Sequence, residues 1–204
     1  MVIDKLHWYD GKFYDKLIAP NQDKIFSQII NIITEESTVL DVGCGTGRLS
    51  FQLAEKCKRV VGLDLSSKNI SVAEANLRQN PSNNISFIHG DVNKAVEQNF
   101  SKFDFAVMTY VIHEMPENER VKVLMDMKKV ANNIIIGDYI TPTPKTLWGI
   151  INVIVEYFAG KDHYNNFKSY VKNGGLNFLM KKANLNIVKE VKNQPQTAHL
   201  VVGE

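Results

Sequence analysis

From Gln22 to Ile33 the apolar residues Ile25, Phe26, Ile29, Ile30 and Ile33 recur at helical spacing and predict a leading amphipathic helix. The period then changes. Thr38-Val39-Leu40-Asp41-Val42 is a short apolar run, three alternate glycines follow at Gly43, Gly45 and Gly47, and Leu49, Leu53 and Cys57 return to helical spacing. This reads as strand, tight turn and helix. A second unit runs from the strand Arg59–Leu65 into a helix opened by Ser66-Ser67, an N-cap signal, with Ile70, Ala73 and Leu77 inward. Apolar strands follow at Ile85–Val92, Phe103–Thr109 and Ile134–Gly137, with a helix over Pro116–Val130. Such alternation implies a parallel sheet with helices on both faces, and ligands on such sheets sit at the carboxyl ends of the strands.

Beyond Thr141-Pro142-Thr143-Pro144 the pattern predicts two helical stretches, Lys145–Ala159 and His163–Lys172. Gly174-Gly175 introduces another helix, and two β-rich segments, Leu185–Val191 and Thr197–Val202, close the chain. The whole reads as one domain over residues 1–204, with an N-terminal helical arm (1–35) and an inserted helical cap (142–173).

The glycine turn carries the first chemical information. Residues without a Cβ reach positive φ and let a ligand approach the backbone, while the helix that follows presents free N–H groups. A dinucleotide fingerprint wants glycine at the first, third and sixth positions, but counting from Gly43 the sixth is Arg48. That glycine packs helix on strand beneath a pyrophosphate, so its absence favours a nucleotide-like cofactor with no diphosphate. An NAD-dependent oxidoreductase is the weaker alternative for this reason.

With these residues in place, Asp41–Gly47 resembles the first motif of the class I methyltransferases that use S-adenosylmethionine (SAM). Further matches follow in order: Arg59–Leu65 ends near Asp64, Ile85–Val92 carries Asp91, and Phe103–Thr109 opens onto Tyr110-Val111-Ile112-His113-Glu114-Met115. The resemblance implies a Rossmann-like α/β fold, with a seven-stranded, mostly parallel sheet, an antiparallel C-terminal edge hairpin and helices on both faces. It implies that Asp64 accepts the ribose hydroxyls, Asp91 the adenine amino group, and that Val92 offers its N–H to the ring. Asp41, Gly43, Cys44, Gly45, Gly47, Leu65 and Thr109 complete the implied SAM site, with S-adenosylhomocysteine as product. Related enzymes often fold an N-terminal segment over SAM. Tyr14 is the candidate here, through its ring or its hydroxyl, against the alternative that it anchors a loose arm.

Methyl transfer from a sulfonium is an in-line displacement, so a protein mainly aligns the partners and excludes water. A base is needed only where the acceptor must lose a proton. His113 is the candidate base; alternatively it caps a helix or bonds to backbone. Tyr110, His163 and Tyr164 are candidate acceptor contacts, although His163 and Tyr164 also fit a helix start capped by Asp162. Leu147, Trp148, Ile151, Ile154 and Phe158 either enclose a small lipophilic or aromatic acceptor or serve plain helix packing. No Asn/Asp-Pro-Pro-Tyr/Phe pattern follows the fourth strand, and no Pro-Cys nucleophile for pyrimidine carbon is present. A non-catalytic SAM-binding protein fits the same cofactor motifs.

Composition narrows the partners. Twenty-four Lys and Arg against 22 Asp and Glu, intermixed to a net charge of +2, argue against a nucleic-acid surface. Two cysteines give neither a disulfide framework nor a metal spacing, so no metal is expected. Leu147–Ala159 is too short and too interrupted by Asn152 and Glu156 to span a bilayer, and reads as a buried or interfacial helix without stable membrane insertion. The N-terminus lacks the apolar core of a signal peptide, which makes the cytoplasm the expected location and a monomer or homodimer the expected state.

Overall fold

The computed structural model describes residues 22–98, 100–194 and 196–204. The elements run α1 (Asp23–Ile32), β1 (Thr38–Val42), α2 (Arg48–Ala54), β2 (Arg59–Asp64), α3 (Ser67–Gln79), β3 (Ile85–His89), α4 (Val92–Glu97), β4 (Phe103–Thr109), α5 (Glu117–Val130) and β5 (Ala131–Tyr139). The cap follows as α6 (Leu147–Ala159) and α7 (Lys161–Lys172), then α8 (Gly175–Lys182), β6 (Ile187–Lys192) and β7 (Ala198–Gly203).

Seven strands form one sheet in the order β3-β2-β1-β4-β5-β7-β6. The first five pair in parallel, and β7 inserts antiparallel between β5 and β6, so the C-terminal hairpin forms the edge. The order reverses between β1 and β4, which is where an open α/β sheet parts its loops and leaves a crevice.

Alternation along the strands sends side chains to two cores. Leu40, Val42, Leu63, Met108, Ile134 and Ile136 pack under α4, α5, α7 and α8. Val39, Val60, Val107, Ile135 and Leu200 pack under α1 and α2, with Leu77 of α3 against the same layer. Helices therefore cover both faces, as the alternating pattern predicts.

Local differences from the sequence reading have physical causes. Ser66 caps α3 as expected, accepting from Asn69 N at 3.2 Å. A short helix, α4, begins at Val92, where the strand reading stops, and fills a stretch that was assigned no element; the Asp91 carboxylate accepts from Asn93 N and caps it. Asp162 is not the N-cap of α7: that position is Gly160, two residues earlier, and Asp162 falls within the first turn.

Candidate active site

The turn after β1 is built by the sheet beneath it. Gly43 N and Cys44 N both donate to the Leu63 carbonyl of β2, at 2.7 and 2.9 Å. Gly43, Gly45 and Gly47 all hold positive φ, of 74°, 56° and 88°. The three differ in purpose. A Cβ on Gly43 would meet Val111 Cγ2 at 2.5 Å and one on Gly47 would meet Phe87 Cζ at 2.7 Å, whereas one on Gly45 meets nothing within 4 Å. The outer two are packing glycines, and Gly45 faces open space, the cradle a nucleotide-like ligand requires.

Three carboxylates surround this cradle. Asp64 ends β2 and accepts from Gly45 N and Ser66 N, both at 2.8 Å, which ties the turn to the next strand. Asp41 is buried and accepts the Ser50 hydroxyl. Burial pushes its carboxyl up to about 7, opposed by the Ser50 hydrogen bond and assisted by the negative Asp64. Asp91 is exposed at the end of β3, with Val92 buried as the first residue of α4. Leu65 is half-buried, and its carbonyl pairs with His89 Nε2 at 3.0 Å, a contact the sequence reading missed. Cys44 contributes its backbone: its thiol is buried and pushed well up, by burial and then by Asp41 and Asp64. The glycines, the acidic strand ends and Thr109 at the tip of β4 thus converge at the carboxyl edge of the sheet, where the backbone at Gly45 is open to a ligand. Tyr14 lies outside the described residues.

Beside this edge runs a buried file of alternating carboxylates and imidazoles. His113 Nδ1 pairs with Asp138 Oδ1 at 2.8 Å, and His113 Nε2 lies 3.4 Å from Glu156 Oε2. The same Glu156 oxygen contacts His163 Nε2, and His163 Nδ1 lies 3.4 Å from Glu114 Oε2. The Tyr139 hydroxyl donates to the other Glu156 oxygen at 2.8 Å. Burial alone would push His113 down, but Asp138 and Glu156 outweigh it and hold the imidazole well above its usual range. Burial would raise Glu156, yet His113 and His163 bring it well below the usual carboxylate range.

Sequence reasoning placed His113 at the mouth of the site as a candidate base, or else as a helix cap or backbone partner. It is instead buried, with both ring nitrogens facing carboxylates, and it anchors β5 to the cap. His163 joins it, with ring centroids 5.6 Å apart. Tyr164, one residue on, turns the other way: its ring packs on Tyr157 at 5.4 Å and under the Lys168 ammonium. Tyr110 follows β4 with φ 55° and stacks edge-on against Tyr139 at 5.5 Å, so it lies with the file. Ligand atoms of His113, Glu114 and His163 lie within 4.8 Å of one another, a donor set that the cysteine count gave no reason to expect.

The cap differs most from expectation. Leu147, Trp148, Ile154 and Phe158 point to solvent, and the inward side chain of α6 is Glu156. They do not enclose an acceptor. Asp138 and Glu156, the partners that give the file its character, were missed because their pairing is tertiary and leaves no local pattern.

Similarity to known proteins agrees with this geometry. A family model described as a methyltransferase domain matches residues 33–147. An uncharacterized RNA methyltransferase of Clostridium acetobutylicum is 28% identical over 137 residues, 66% of this chain and 29% of that protein. The ribosomal RNA small subunit methyltransferase A of Lysinibacillus sphaericus is 28% identical over 160 residues, 72% of this chain and 53% of that protein. The chain thus spans about half or less of these relatives. Among solved structures, the N-methyltransferase NodS of Bradyrhizobium japonicum, in complex with S-adenosylhomocysteine, superposes with TM-score 0.63 at 15% identity, over 95% of this chain and 91% of that one. The relatives overturn one expectation, that nucleic acid is excluded as a partner. Intermixed charge counts against a concentrated basic face, but relatives named for RNA match this chain over 66% and 72% of its length, with much of their own length outside the match. No helix among the described residues is long and apolar enough to cross a membrane. The glycine cradle, the acidic strand ends, the strand order and the match over more than half its length make this chain a member of the methyltransferase domain family, the class I SAM-dependent methyltransferases.

Proposed function

We propose that this protein binds SAM over Gly45 and transfers its methyl group to a small acceptor with an aromatic or lipophilic body, seated between the ends of β4 and β5 and the helical cap. Bound there, SAM supplies an already activated methyl. Asp64 and Asp91 hold the nucleoside, and the backbone at Gly43–Gly47 receives the amino-acid end. The observation that carries the acceptor reading is the buried file Asp138–His113–Glu156–His163–Glu114, which ties α6 and α7 to the strand ends beside the cradle.

A cap held in this way orients an acceptor against the rings of Tyr110 and Tyr139 and keeps water from the reacting centre. Half-buried Glu114 is the outer end of the file, where a proton released by an acceptor hydroxyl would be held. His113, engaged on both nitrogens, is a positioning residue.

Relatives named as RNA methyltransferases favour RNA as a second acceptor class. Within it, attack through a cysteine adduct does not fit, since Cys44 and Cys57 are both buried and burial pushes both thiols up.

The test is transfer from methyl-labelled SAM to a panel of phenols, catechols, quinols, amines and thiols alongside total RNA. Label in a small aromatic acceptor is the expected result. Label confined to RNA would replace this reading with the second. SAM binding with no transfer to any acceptor would make the protein a non-catalytic SAM binder.

A further inference from the structure

Helix α6 is built inside out. A surface helix normally turns its apolar stripe to the core. Here Leu147, Ile150, Ile154, Tyr157 and Phe158 fall on one stripe at spacings of three and four, and that stripe faces solvent; Leu147 and Phe158 are each 70% exposed. The opposite face carries Gly149 and Glu156, both buried.

The rotation is locked. Glu156 receives the Tyr139 hydroxyl and is flanked by His113 and His163. A Cβ on Gly149 would fall 2.0 Å from the Pro144 carbonyl oxygen, so only this residue lets the helix seat so closely. Turning the stripe inward would strip a buried carboxylate of its partners. The outward apolar face therefore belongs to the fold.

The chemistry of the rim identifies what covers it. The Tyr157 ring packs on Tyr164 at 5.4 Å, and the Lys168 ammonium sits 4.6 Å from the centre of the Tyr164 ring, placing a cation beside the aromatic end of the stripe. Lys145 and Lys161 are exposed just before and after the helix, and Asp162 is the one exposed acid among residues 145–168. Three lysines against one aspartate around an apolar stripe with Tyr157 and Phe158 at its end suit the boundary between anionic headgroups and acyl chains. Pairing with a second copy across a two-fold axis would bring the same lysines together. At 13 residues the helix is about 20 Å long, against about 30 Å for a hydrocarbon core, so it lies flat.

We propose that α6 docks this protein on an anionic bilayer surface, with Leu147, Ile150, Ile154 and Phe158 in the acyl boundary and Lys145, Lys161 and Lys168 against the headgroups. The inference is independent of the acceptor, because it rests on the outer face of the cap.

The experiment is co-sedimentation of the full chain with vesicles of phosphatidylcholine alone and of phosphatidylcholine with phosphatidylglycerol. The expected result is pelleting with the anionic vesicles, weakened more than about tenfold in Ile154→Glu/Phe158→Glu. Lys161→Ala and Lys168→Ala should each weaken it about fivefold and only at low salt. Unchanged far-ultraviolet circular dichroism and SAM binding verify that each variant is folded. Wild-type protein left in the supernatant with both vesicle types overturns the proposal. So does a wild-type dimer in analytical ultracentrifugation that Ile154→Glu/Phe158→Glu makes monomeric, which would assign the stripe to a second copy. Vesicle binding by a variant lacking residues 1–21, and none by the full chain, would also overturn it, by assigning the stripe to the N-terminal segment.

Discussion

Glu156 decides where the cap sits. It is buried between two imidazoles, with its other oxygen on Tyr139, and its ionised form is held by both histidines. Removing one member of such a group leaves charge uncompensated in the interior, so Glu156→Gln should lose about 3–5 kcal/mol in urea unfolding at neutral pH. Its carboxyl lies below the usual range when folded, so the stability it provides is present above the ordinary carboxylate pKa and is lost only as pH falls through the folded value. Asp41 has the opposite sign. Its pKa rises from 3.8 to about 7 on folding, so the stability of its protonated form is complete below about pH 4 and is lost as pH rises through 7. Asp41→Asn should therefore have a flatter stability profile and exceed the wild type by roughly 2–4 kcal/mol at pH 8. Urea titrations at pH 5 and pH 8 distinguish the two; equal slopes for wild type and variant would contradict the assignment. Asp41 was named as a candidate site residue through the family resemblance of the segment that ends in the glycines. Its protonation was not, because burial is set by strands distant in sequence.

At the scale of elements, the glycine turn separates packing from binding. Gly47→Ala puts a Cβ 2.7 Å from the Phe87 ring at φ 88°, and it should cost folding stability through both clash and strain. Gly45→Ala meets nothing within 4 Å and has only the left-handed strain of about 1–2 kcal/mol to bear. It should stay folded, shown by a thermal melt, and lose SAM affinity by more than tenfold in calorimetry, because its methyl occupies the cradle. A Gly45→Ala protein that binds SAM as well as the wild type would move the ligand off this turn. The central strands and α1, α2, α3 and α5 were readable because their apolar spacing is the signal itself. Helix α6 was readable as a helix but not in its orientation, since periodicity marks an apolar stripe without saying that it faces the core. The short helix α4 depends on a single Asp91 cap and shows no periodicity to read.

For the molecule as a whole, the strand order fixes where chemistry can occur. The reversal between β1 and β4 brings the glycine turn, Asp64 and Thr109 to one edge, and the cap hangs over the neighbouring ends of β4 and β5. The alternation of strands and helices carried the parallel sheet with both faces covered, because each strand–helix unit is local, and the family resemblance supplied the antiparallel edge; the strand order itself was not read. The sequence did not carry the proposed acceptor site, whose side chains are brought together from β5, α6 and α7. The central claim is that the edge holds SAM. Isothermal calorimetry of SAM, S-adenosylhomocysteine and NAD against the wild-type protein and Gly45→Ala tests it directly. Micromolar binding of the first two, absent for NAD and lost in the variant, is the predicted result; NAD binding, or no binding of SAM by the folded wild-type protein, would contradict it.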